Sequence, residues 1–204
     1  KKDEVVMKLL GQVVISSSSK QTTLQQVEPK VTFRNSPTRL SKGALKTMIL
    51  ENNFFDLSIN PAGYFRNDFE KKVINGVKVV IDKVTGLLWL QRGSDEKFNY
   101  REAQVYVARL NRIQLAGFSD WRLPTVEEAA TLLYPDKLKG NLYVDPIFNQ
   151  DQRKIWTSDK SDKLTNSGQL AAWCIFFRDG HIEKNHIYKE YNYVRPVRSM
   201  HETN

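Results

Sequence analysis

Apolar positions divide this chain into three stretches of different character. Residues 1–40 hold only short clusters, Val5-Val6, Leu9-Leu10 and Val13-Val14-Ile15, followed by four serines and a polar run to Pro29. A segment so poor in core-formers orders itself only against a surface, either of its own domain or of a neighbouring chain. From Ser41 the spacing changes. Leu45, Met48 and Ile49 recur at i, i+3 and i+4, which predicts a short helix ending near Asn52. Phenylalanines and a tyrosine then alternate with Asn and Asp through Asn53-Phe54-Phe55-Asp56 and Asn60 to Phe69. That pattern predicts an irregular segment plugged by aromatic rings and closed by Asx turns.

The main body opens with a hairpin signal, Ile74-Asn75-Gly76-Val77. Val79-Val80-Ile81 is a predicted strand, Asp82 to Gly86 a tight turn, and Leu87-Leu88-Trp89-Leu90 the returning strand. Asn99 with Glu102 forms a capping box ahead of a helix whose apolar stripe is Ala103, Tyr106, Val107 and Leu110. Gly117 ends the connection. A second capping box, Thr125 with Glu128, starts a helix from about Val126 to Leu133. Tyr134 to Gly168 has little periodicity, and Trp156-Thr157-Ser158 is its only strand-like piece. The apolar run to Phe177, a turn at Arg178-Asp179-Gly180-His181 and the run Tyr193 to Arg198 complete the chain as strands. Strands flanking two central helices predict an α+β class with a mixed or antiparallel sheet. The expected organisation is an arm at 1–40, docking on a partner chain, an aromatic extension at 41–75 and a domain at 76–200.

Charge and cysteine content narrow the classes. The formal charge is +8 over 204 residues, but the cations are scattered and no nucleic-acid motif accompanies them. Nucleic acid is therefore not the expected partner. The lone Cys174 excludes an internal disulfide, and its apolar run predicts a buried, inert thiol. No apolar run approaches the roughly 20 residues that cross a bilayer. The start, Lys1-Lys2-Asp3, is compatible with a removed leader.

Four strings stand in order: Val80 to Trp89, Gly117-Phe118-Ser119-Asp120-Trp121-Arg122-Leu123-Pro124-Thr125, Trp156-Thr157-Ser158 and Val194-Arg195-Pro196-Val197-Arg198. Together they make residues 76 to 200 resemble the bacterial Lcl C-terminal domain family. That resemblance implies a C-type lectin-like fold near the formylglycine-generating-enzyme branch. It also implies exported or surface-associated modules that bind ligands, in some members sulfated or otherwise acidic glycans. Asp120, Trp121, Arg122, Pro124, Thr125, Trp89, Trp156 and Arg195 carry the motif and are expected to be structural, with Trp121 as a core plug and Asp120 and Arg122 paired or bonded to backbone.

Catalytic chemistry finds little support in the residues. The formylglycine-generating type requires a cysteine pair, and only Cys174 is present. The related sulfoxide-synthase type uses three histidines early and mid-chain, whereas His181, His186 and His201 all lie near the end. A metal site from His181, Glu183 and His186 conflicts with strand alternation, which turns His186 away from the other two. Asp56, Asn60, Asn67 and Asp68 offer oxygens for calcium but lack a regular loop spacing, and turn formation is the preferred reading. No nucleophile elbow or phosphate-cradling glycine loop occurs, and no cofactor is expected. The candidate recognition surface is the late rim of Arg178, His181, Lys184, His186, Tyr188, Lys189 and Tyr191, where cations mix with aromatics. The expected function is a non-catalytic interaction module, an accessory or scaffold subunit in protein–protein assembly or self-association through the arm. An exported adhesin for acidic glycans is the alternative, and an enzyme with an unrecognised site a minor one.

Overall fold

The computed structural model describes residues 28–162 and 170–200. The elements are β1 (Arg39–Leu40), α1 (Lys42–Glu51), β2 (Phe69–Ile74), β3 (Val77–Asp82), β4 (Leu87–Leu90), α2 (Tyr100–Arg112), α3 (Val126–Ala130), β5 (Lys154–Ser161), β6 (Ala171–Phe176), β7 (His181–His186) and β8 (Val197–Ser199). They form a mixed α+β fold with two four-stranded sheets, ordered β1-β5-β6-β7 and β2-β3-β4-β8. Among the described residues the pairings between these strands are antiparallel except the short parallel pair of β1 with β5.

Local signals account for most boundaries. Ser41 caps α1 by accepting from the Ala44 amide, and Asn52 closes it. Asn75 and Gly76 both take positive φ, 48° and 78°, the conformation a two-residue hairpin needs to match strand twist. Asn99 and Glu102 bond reciprocally at the start of α2, as do Thr125 and Glu128 at α3. Asn99→Ala removes the acceptor for the Glu102 amide and is expected to lower stability by about 1 kcal/mol, read from the urea midpoint. No change in that midpoint would mean that tertiary packing alone holds the first turn of α2.

Three boundaries depart from the sequence reading. The motif helix stops at Ala130 rather than Leu133, because the amides of Leu132 and Leu133 drop to i−3 carbonyls and the Thr131 hydroxyl takes the Glu128 carbonyl. The last strand shrinks to Val197–Ser199, since Pro196 has no amide to contribute to a ladder. Around Trp156 the strand grows to Lys154–Ser161, with a register shift between Trp156 and Lys160 that the unperiodic sequence there does not announce.

Two apolar cores lie on opposite faces of β3 and β4. Val80, Leu87 and Trp89 join Trp173, Ile175 and Phe177 on one side, while Val79, Ile81, Leu88 and Leu90 join the α2 stripe, Trp121 and Trp156 on the other. The extension at 41–75 is part of the first core, to which it gives Leu45, Met48, Ile49, Phe54 and Phe55. It folds together with the domain expected at 76–200.

Residues 28–40 lie on the same chain's domain. Lys30 and Val31 donate to the Val84 carbonyl, and Phe33 packs against Phe54 and Phe65 at ring separations of 5.5 and 5.8 Å. Arg34 then bridges Glu127 and the fully buried Asp159. Asp159 also accepts from the Thr38 and Val126 amides, each at 2.7 Å. Burial opposes the Arg34 charge, but the hydrogen bonds it donates to Asp159 and Glu127 outweigh that and raise the guanidinium pKa. This strap ties the second sheet's turn to the edge of the first. The expected docking of the arm on a partner chain rests, for residues 1–27, outside the described residues.

Candidate functional site

The signature motif is a structural clasp. Trp121 is 2% exposed, its indole N–H donates to the Leu115 carbonyl, and Asn111 pairs with its backbone on both sides. Arg122 makes two bonds of 2.6 Å to Glu128, and Asp120 accepts from Arg198 at 2.6 Å. Pro124 accepts from the Ser158 amide through its carbonyl, and Trp156 donates its indole N–H to the Phe98 carbonyl. Trp89 is fully buried against Phe148.

Arg195 behaves differently from a surface arginine. It is fully buried, donates to Gln152 Oε1 at 3.0 Å and the Asn149 carbonyl at 3.2 Å, and lies over the rings of Phe148 and Phe177. Burial alone pushes its pKa down to about 9. Aromatic faces replace the carboxylate that usually accompanies a buried cation.

The late rim separates into two ends of β7. Arg178 is exposed in the turn before the strand, where Gly180 adopts φ +73° and a Cβ would meet the Tyr143 ring at 2.8 Å. His181 stacks on Phe176 and lies 3.8 Å from Glu183. His186 is at the far end, roughly 17 Å along an extended strand. Its Nδ1 accepts from the Tyr188 and Lys189 amides at 3.0 and 3.3 Å. His186 therefore closes its own turn, with Tyr188, Lys189 and Tyr191 exposed around it. Among the described residues no group of three or more His, Cys, Asp or Glu is placed to hold a metal ion. Of the four residues expected to form turns rather than to hold calcium, Asp56 accepts from the Ser58, Ile59 and Ile182 amides, Asn60 donates to the Phe54 carbonyl and Asn67 to the Thr131 carbonyl. The Asp68 carbonyl accepts from the Lys83 amide. The side-chain bonds of Asp56, Asn60 and Asn67 each hold a loop.

His181 and Lys184 instead line a groove of about 840 Å³ between α1, the loop held by Asp56, and β7. Leu45, Ile59, Trp173 and Ile182 give its apolar surface, and Ser41, Ser58 and Ser161 bring hydroxyls. The α1 wall is positive: it presents Lys42 and Lys46, one helical turn apart, and the first turn of the helix carries no acidic residue. The facing wall mixes Lys184 with Glu183 and Asp162. An apolar floor with convergent polar groups is the ordinary form of a small-ligand site. Lys42 and Lys46 escaped the sequence reading because helical spacing explains their placement without any ligand.

A mixed α+β domain with two sheets, a buried motif clasp and an open groove on its first sheet defines the class. The family model of the Lcl C-terminal domain matches residues 78–198, and the chain belongs to that family. No curated protein matches the chain.

Proposed function

We propose that this chain is a non-catalytic recognition module of C-type lectin-like fold, binding a saccharide that bears a carboxylate or sulfate in the groove between α1 and β7. The observation that carries this reading is the groove's asymmetry. Its positive α1 wall suits an acidic substituent, while Trp173, the serines and the mixed far wall suit a polyhydroxylated body. The sole cysteine does not favour covalent chemistry. Cys174 is buried, accepts from Asn192 at 3.2 Å, and burial pushes its thiol well above the ordinary value, away from the nucleophilic thiolate. Export to the cell envelope is part of the same proposal, because such saccharides are met there.

The test is binding of the full chain to a panel of matched neutral, carboxylated and sulfated oligosaccharides. Acidic members are expected to bind selectively and to weaken as salt rises. Lys42→Gln together with Lys46→Gln is expected to cost about tenfold in affinity, the scale of two exposed charge contacts. Equal retention of neutral and acidic members, or indifference to both substitutions, would remove the groove from consideration.

A further inference from the structure

The second sheet ends in β2, whose outer edge is unpaired among the described residues and lies away from the groove. In the β2–β3 hairpin the two-residue turn makes Ile74 and Val77 a hydrogen-bonded pair, and the same alternation reaches Lys72 with Val79 and Glu70 with Ile81. The Lys83 amide, 2.9 Å from the Asp68 carbonyl, continues that ladder. The main-chain N–H and C=O groups of Phe69, Lys71 and Val73 therefore point outward, and none has a hydrogen-bond partner among the described residues. Among the charged side chains of this edge stands one exposed apolar residue. Val73 is 62% exposed, and a cleft of about 310 Å³ runs beside it, lined by Lys71, Lys72, Val73, Lys78, Val79 and Gln91.

Charge selects the occupant. An antiparallel second copy centred on Lys71 would set its two Lys71 ammonium groups face to face, and lysines on an edge ordinarily deter such pairing. The same lysines complement an acidic strand. Lys71, Val73 and Lys78 share one face, since Val73 pairs with Lys78 and Lys71 lies two residues from Val73. We propose that β2 is a strand-addition site for an extended acidic peptide of a partner protein, whose carboxylates flank an apolar residue on the face that meets Lys71, Val73 and Lys78. Main-chain bonds to Phe69, Lys71 and Val73 supply the pairing, and the ammonium groups supply the choice of partner.

The experiment uses the full chain and a synthetic extended peptide alternating Glu and Thr around a central Val, with a Lys-for-Glu peptide of the same pattern as control. Binding is followed by fluorescence anisotropy, and amide hydrogen exchange reads the edge directly. The acidic peptide is expected to bind, to protect the Lys71 and Val73 amides, and to lose about tenfold in affinity on Lys71→Glu with Lys78→Glu. Lys71→Pro removes one outward N–H while leaving the β3 ladder intact, and it is expected to abolish the protection at that edge. Equal binding of both peptides, or binding that leaves these amides unprotected, overturns the assignment. So does a concentration-dependent dimer that protects them without peptide, since the edge then belongs to a second copy.

Discussion

A chain cut to residues 78–198, the span matched by the family, is expected to stay unfolded in buffer without denaturant. The cut removes Leu45, Met48, Ile49, Phe54 and Phe55, all at most 9% exposed and all packed in the first core. Each such side chain stabilises by about 1.5–3 kcal/mol when buried, so their loss removes roughly 7–15 kcal/mol. That is about the whole stability of an ordinary domain, roughly 5–15 kcal/mol. It also begins inside β3 and discards β2, so the second sheet loses an entire strand. Near-ultraviolet circular dichroism and amide chemical-shift dispersion decide the matter. A cooperative urea transition for 78–198 would mean that the extension decorates a self-sufficient core, whereas 28–200 is expected to show that transition.

The second large effect concerns the strap. Arg34→Ala is expected to destabilise the protein by about 3 kcal/mol, because it leaves the buried Asp159 carboxylate without its cation. Two amides, from Thr38 and Val126, still reach that carboxylate, so the loss stays below that of an entirely orphaned charge. Arg34→Lys is expected to recover only part of it, since a point charge cannot fork between Glu127 and Asp159 as guanidinium does. Urea unfolding of the variants reads both values. A midpoint for Arg34→Ala within about 0.5 kcal/mol of the parent would show that Phe33 and the β1 pairing hold the strap without the ion pair.

Sequence and structure agree at the caps and at the β2–β3 turn, where the cause is local. Ser41, the Asn75-Gly76 pair and the two capping boxes each act within four residues, so their consequences are legible in the string itself. Resemblance extended that reach to the family over the main body. Arg34 shows where legibility ends: its partners lie 93 and 125 residues away, and nothing beside it distinguishes it from any solvated cation. Arg195 was visible as a motif residue, but its full burial depends on Phe148 and Gln152 from the loop before β5 and on Phe177 after β6. The groove is similarly assembled from a helix, a loop and three strands. The rim expected around β7 was a stretch of sequence, and an extended strand spreads such a stretch along its length, leaving only His181 and Lys184 in the groove.

The apolar content on both faces of β3 and β4 carries a consequence for how the protein attains its native pairing. A one-residue slip in a half-solvated strand is punished by exposing its oily side, but here either alignment would find a greasy environment. Correct alignment must therefore be chosen by the corners. Asp82, bonded to the Val84 amide and the Thr85 hydroxyl, and the left-handed Asn75-Gly76 corner act as the indexing pins. Damage to either corner would yield dense but wrongly interleaved isomers rather than an open chain.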